Sequence, residues 1–225
     1  MAGKKLDHIT CTTDDRALVY VLHGKNGDML IDTGSIDTEE YVGSWIDRSG
    51  FDIKWIFLTH AHFDHAWNAA AFRRKYGAKV ILHENDLDLL NGLYLPDTTP
   101  TFALPMIDGF QEYYKSRQRR LVPCDIDFLI TDNDADFLRP LGFDADIVML
   151  PGHTEGSVGI KYGRIFFCGD ACAAKGGDFY TTMHGSVPDQ IHISEQKIFD
   201  ANPLVIAPGH GKLIINEKAF PSGGE

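Results

Sequence analysis

The chain has 225 residues, 44% of them hydrophobic and 24% charged, and a formal net charge of −11. That length is enough for one domain with a sizeable core, and the acidic balance argues against a nucleic-acid backbone as the main partner. No apolar run approaches the roughly 20 residues that span a bilayer, and the two lysines near the N-terminus have no apolar segment behind them, so neither a membrane partner nor a signal peptide is expected.

Leu18–His23 is apolar and rich in β-formers and reads as a strand. The stretch His23–Asp28 carries an Asn-Gly pair, a strong hairpin signal, and Met29–Ile31 is the return strand, ending in Asp32-Thr-Gly-Ser35. Asp37–Arg48 has the pattern of a capped amphipathic helix. Lys54–Thr59 is a short apolar run with a β-branched and aromatic bias, hence a buried strand, and Ala66–Tyr76 is a helix that stops at Gly77. Between those two elements lies Thr59-His-Ala-His-Phe-Asp-His65, with three imidazoles and a carboxylate from His60 to His65. This is a strand-to-helix turn at the carboxyl end of a strand, where open α/β sheets place their sites. Neutral imidazole and carboxylate are good ligands for zinc and similar divalent ions. On a tight turn His60 and His62 can converge on one ion, and Asp64 and His65, past the bend, can face a second. Solvated loop histidines would be the bland alternative, which suits a lone His better than four ligand-type residues at this spacing.

Beyond Gly77, Lys79–Leu82 is a strand and His83–Leu90 begins a helix; His83 is a ligand-type residue, but a polar side chain at a helix start reads first as a cap. The pattern then breaks. Residues 91–124 hold prolines, aliphatics and aromatics, with a helical stretch over Asp108–Leu121 ending in Arg117, Arg119 and Arg120. A long irregular segment inside a compact domain is usually functional or disordered, and its aromatics argue against disorder. Two readings stay open: a lid or oligomer contact carrying Tyr94, Phe102, Met106, Phe110, Tyr113 and Tyr114, or a surface subdomain with its own small core.

Asp125–Ile130 and Asp146–Leu150 are strands, followed by Pro151-Gly-His153. Ser157–Tyr162 and Arg164–Phe167 form a hairpin that runs into Cys168-Gly-Asp170, then a Gly-rich loop. Pro188–Asp200 reads as a helix packed on a sheet, so His192 is structural. Leu204–Ala207 leads into Pro208-Gly-His210, a second strand-Pro-Gly-His device, and the repetition suggests two related halves. The four cysteines are scattered without zinc-knuckle spacing, as expected for reduced thiols in a cytoplasmic protein.

His-x-His-x-Asp-His, followed in order by His153, Asp170 and His210, resembles the metallo-β-lactamase superfamily along nearly the whole chain. The resemblance implies one domain over residues 1–225, an α/β fold of the four-layer αββα sandwich type, in which superfamily members commonly vary in the region of the 91–124 insert. It implies that His60, His62 and His153 hold one metal, that Asp64, His65 and His210 hold another, and that Asp170 bridges them. It also places Asp32 beneath the metals, orienting a ligand histidine, although a turn or cap role for Asp32 is equally open from the residues alone. The metals expected are two divalent ions, zinc first, with iron or manganese as alternatives. Such a pair shares a water, lowers its pKa towards neutrality and so supplies a bridging hydroxide as nucleophile, with Asp64 as the catalytic carboxylate that orients it and accepts its proton.

Departures within the superfamily narrow the choice. Members that hydrolyse β-lactams carry Cys or Ser where Asp170 stands. Lactonases of homoserine lactones tend to carry a Tyr at the position of Ala173, although Tyr180 lies in the same loop. Nucleases of the superfamily add a basic arm, which this acidic chain lacks. The chain is similar to glyoxalase II in ligand set and spacing, but that enzyme has a C-terminal helical domain and this chain ends soon after His210. The reading that follows is a glyoxalase II-like hydrolase of a small ester-like substrate, a thioester, lactone or related compound. Lys175, Tyr180, Thr181 and His184 are candidates for an oxyanion donor or a substrate clamp, or else belong to a solvated loop. The alternatives are an iron-dependent redox or oxygenase member, similar to persulfide dioxygenases, and a scaffold with a vestigial site. Small-molecule substrates are the expected partners, and homo-oligomerisation is left open.

Overall fold

A computed structural model of the chain describes residues 6–11, 17–101 and 109–216. Its first half contains β1 (Asp7–Thr10), β2 (Leu18–Gly24), β3 (Gly27–Ile31), α1 (Glu39–Ser49), β4 (Ile53–Phe57), α2 (Phe63–Ala66), α3 (Ala69–Tyr76), β5 (Lys79–His83), α4 (Leu87–Leu90), β6 (Thr99–Pro100), α5 (Phe110–Gln118) and β7 (Phe128–Ile130). The second contains β8 (Asp146–Met149), β9 (Val158–Tyr162), β10 (Ile165–Gly169), β11 (Cys172–Lys175), β12 (Asp178–Thr181), β13 (His184–Gly185), α6 (Ile191–Asp200), β14 (Val205–Pro208) and β15 (Ile214–Ile215).

Two large sheets result, one in the order β1-β2-β3-β4-β5-β7 and the other β15-β14-β10-β9-β8. From β3 to β7 the first sheet is parallel, as strand–helix–strand units require, and in the second β10 and β14 run parallel. Strands buried on both faces read as nearly continuous apolar runs, and the period of two sorts their residues between layers. Val19 and Val21, Leu30, Ile56 and Leu58, and Val80 and Leu82 face outwards and pack with Val42 and Ile46 of α1 and Phe72 of α3. Their neighbours Leu18 and Tyr20, Met29 and Ile31, Phe57 and Ile81 face inwards onto Val158, Ile160, Phe167 and Ala207 of the second sheet. On the far side Phe166, Cys168 and Ile206 pack with Ile198 of α6. The layers are therefore helix, sheet, sheet, helix, the αββα sandwich expected from the sequence. No helix among the described residues is long and apolar enough to cross a membrane.

Several local readings shift. The hairpin turn is Lys25-Asn26, flanked by the Gly24–Gly27 pair, so the glycine of Asn-Gly begins the return strand with a φ of 120°. Helix α1 starts at Glu39 without a side-chain cap, because the Thr38 hydroxyl donates to the Ser35 carbonyl instead. The loop after Asp170 is a regular hairpin, β11–β12, turning through Gly176 and Gly177. His83 ends β5, and its Nδ1 accepts from the Asn85 backbone, consistent with a capping role. In the 91–124 segment, Phe102 and Met106 lie outside the described residues.

Candidate metal centre

β4 is parallel to both neighbours, so its carboxyl end opens at the same edge as β3 and β5. The chain leaves it through Thr59, and His60, His62, Asp64 and His65 all fall on the turn or on the one-turn helix α2. The second sheet delivers its residues to the same edge. His153 follows β8 on a turn where Gly152 adopts a φ of 145°. Asp170 follows β10, and His210 follows β14. Gly209 permits the closest approach: a Cβ there would run into Asp170 Oδ1 and lie 2.6 Å from His65 Cε1.

All seven residues named from the sequence come together. His60, His62 and His153 form one group of converging nitrogens, and Asp64, His65 and His210 form another. His153 Nε2 lies 2.8 Å from His62 Nδ1, and His210 Nε2 lies 3.2 Å from His65 Nε2 and 3.1 Å from Asp64 Oδ2. Asp170 touches both groups: Oδ2 is 3.5 Å from His153 Nε2 and 3.4 Å from His210 Nε2, while Oδ1 is 3.4 Å from His65 Nε2.

Buried polar groups hold these side chains in place. Asp32, with a φ of 59°, accepts from the Thr59 backbone N–H and hydroxyl, both at 2.8 Å, and sets its Oδ2 2.8 Å from His65 Nδ1. That contact fixes the His65 tautomer and turns Nε2 towards His210. His153 Nδ1 lies 2.9 Å from the His184 carbonyl, so its Nε2 faces the centre. Two further positioning residues escaped the sequence reading. Asp86, 1% exposed, accepts from the Ala61 and Gly156 backbone N–H groups, both at 2.8 Å, and from the Thr154 hydroxyl at 2.9 Å. It thereby ties the His60–His62 turn to the His153 loop. Gln118 of α5 accepts from the Phe63 N–H and donates to the Ala61 carbonyl. A polar residue in an ordinary helix start and another at a helix end carry no sequence signal for this role.

The electrostatics divide the cluster. Burial, together with neighbouring imidazoles, keeps His60 and His62 well below the usual histidine range, so both are neutral donors. Burial opposes charge on His65 and His210 as well, but Asp170, Asp32 and Asp64 outweigh it at His65, and Asp170 and Asp64 push His210 up to about 10. The same pairs hold Asp64 and Asp170 ionised despite their burial. Among the protein's own groups, two carboxylates thus gather positive charge at the centre. Burial, reinforced by the charges of Asp64 and Asp86, keeps the Tyr114 hydroxyl protonated.

The donor set fits divalent metal. His60 Nε2 and Asp170 Oδ1 are buried and make no hydrogen bond, which is costly unless something else satisfies them. Donor atoms about 2.1 Å from one tetrahedral ion lie roughly 3.4 Å apart, close to the spacings above. Of the other sequence candidates, His184 lines the cavity before the centre, whereas Lys175, Tyr180 and Thr181 do not. Phe110, Tyr113 and Tyr114 of α5 also line it, while Tyr94 is exposed elsewhere. His192 is exposed and pairs with Glu195.

Comparison with known proteins identifies the family and the fold. The profile of the metallo-beta-lactamase superfamily matches residues 12–210. Hydroxyacylglutathione hydrolase GloC of Haemophilus influenzae is 27% identical over 169 residues, covering 74% of this chain and 72% of its own. A probable metallo-hydrolase of Methanocaldococcus jannaschii is 24% identical over 206 residues, covering 86% and 87%. Among solved structures, the B3 metallo-beta-lactamase BLEG-1 superposes with a TM-score of 0.67 at 24% identity over 94% of each chain. A protein solved in a di-iron-bound form, TTHA1623, has the same TM-score at 23% identity, covering 93% of this chain and 94% of its own. These two superpositions establish the fold alone.

Proposed function

The chain belongs to the metallo-beta-lactamase superfamily, and from that premise we propose that it is a dinuclear metal-dependent hydrolase of small ester-like substrates, thioesters or lactones among them. His60, His62 and His153 would hold one divalent ion and Asp64, His65 and His210 the other, with zinc the first choice of metal. The observation that carries the reading is the position of Asp170, whose carboxylate touches both groups. When bound, a metal pair lowers the pKa of a shared water and polarises the substrate's carbonyl oxygen.

The rest of the chemistry belongs to the chain. Asp64 stands ionised at the open side of the cluster, where its carboxylate can orient the attacking water and take its proton. Asp32 and the His184 carbonyl hold the tautomers of His65 and His153, so that no rearrangement is needed as charge develops. Phe63 and Tyr114 restrict bulk water on one side of the cavity. The relatives named as hydrolases support this reaction class.

Elemental analysis of reconstituted protein should give two ions per chain. Asp170→Ala should lower metal content and hydrolysis of a thioester and lactone panel together. Label from isotopic water should enter the product carboxylate. One ion per chain, or oxygen uptake in place of label incorporation, would refute the proposal.

A further inference from the structure

A cavity of about 320 Å³ opens in front of the centre. One side is the centre itself. The other is built from Phe63, Phe110, Tyr113, Tyr114 and Met183. Two polar atoms of the lining residues, Tyr114 Oη and His184 Nδ1, are buried and without a hydrogen-bond partner. Tyr114 is 3% exposed, and its ring packs edge-on against that of His62, centroids 4.9 Å apart. Across the cavity Phe110 packs against His184 at 5.1 Å. No lysine or arginine lies among the described lining residues. Of the cations on α5, Lys115 pairs with Asp97 and Arg117 is stacked over the Tyr113 ring, and neither lines the cavity.

A buried donor with no acceptor calls for an explanation, and on a residue that lines a cavity beside a reaction centre a ligand can supply the acceptor. An apolar wall without a cation accepts an uncharged group and penalises a distal anion, which would be desolvated without a partner. Resting on the hydrolase reading above, we propose that this cavity selects small substrates with an uncharged aromatic or branched group. Tyr114 is then a specificity-determining residue whose hydroxyl donates to a substrate oxygen. Carboxylate-bearing conjugates of the glutathione type would be poor substrates.

The test reads binding to the metal-loaded protein by calorimetry, using 4-phenyl-2-butanone, a neutral ketone that cannot be hydrolysed, and its para-carboxylate analogue. The neutral ketone should bind about tenfold or more tightly than the carboxylate. Tyr114→Phe should weaken the ketone about 3- to 10-fold while leaving metal content and melting temperature unchanged, because the hydroxyl has no partner within the protein. Phe110→Ala should weaken it about tenfold. No detectable ketone binding, equal or tighter binding of the carboxylate, or an unchanged ketone affinity in Tyr114→Phe would each overturn the inference. So would a drop in melting temperature in that variant that accounts for its loss of affinity. A protein that shows the predicted binding pattern but hydrolyses nothing would refute the hydrolase reading and leave the cavity's selectivity standing. Hydrolysis that favours carboxylate-bearing esters would refute the selectivity alone.

Discussion

Replacing Asp86 with Ala should loosen the centre from outside it. Three donors converge on this carboxylate: Ala61 N–H, Gly156 N–H and the Thr154 hydroxyl. The Thr154 hydroxyl keeps Ser157 Oγ 2.8 Å away as a fallback, so the deletion orphans two buried backbone N–H groups. Each orphan costs about 1–3 kcal/mol. Against this, burial raises the pKa of Asp86, so the deletion also relieves a desolvation penalty. The net loss should be about 2–4 kcal/mol, a large part of the roughly 5–15 kcal/mol that stabilises a typical domain. Metal affinity should fall about 10- to 100-fold, as for other groups that orient ligands. Asp86→Asn should be nearly as damaging, because its amide nitrogen would face an N–H donor. Urea unfolding of metal-free protein and competition with a chromophoric chelator measure the two effects. If Asp86→Ala stays within about 0.5 kcal/mol and threefold of the wild type, the tie between the two loops is not structural.

Asp64→Asn should lower kcat by about 100-fold or more while changing KM little, since its proposed work is on the attacking water; equal changes in both would contradict that role. Gly209→Ala places a methyl against Asp170 and His65 and should cost about 1–3 kcal/mol and lower metal stoichiometry with the fold retained, as read by circular dichroism and elemental analysis. Metal-free protein should become less stable as pH rises from about 6.5 towards about 10, because the raised folded pKa of His210 stabilises fully below the unfolded value and not above the folded one. Metal binding should show the opposite trend, strengthening as pH rises and releasing protons from His65 and His210, which calorimetry in buffers of different ionisation enthalpy would detect.

The sandwich was readable because its strands are short β-branched and aromatic runs that end in polar turns. The centre was readable because each proposed ligand sits at such an end. Asp86 and Gln118 were not, since their partners are mostly backbone groups, which any sequence supplies. The same holds for Tyr114: a helical aromatic looks like core, and only its place beside His62 on the cavity lining sets it apart. The hairpin after Asp170 hid behind Gly176 and Gly177, whose turn joins two strands of small and aromatic residues in place of an open loop. Lys175 and Tyr180, candidates from proximity in sequence, sit on that hairpin and do not line the cavity.

The seven converging residues are divided between the halves, four on the turn after β4 and three on turns of the second sheet. His62 meets His153 across 91 residues and His65 meets His210 across 145. Closing loops of that length precedes any reward from the contact, so the donor set does not exist in the unfolded chain. During synthesis His210 is the last of the seven to emerge. On the proposed reading of two ions, filling the second position requires that the two sheets have already met.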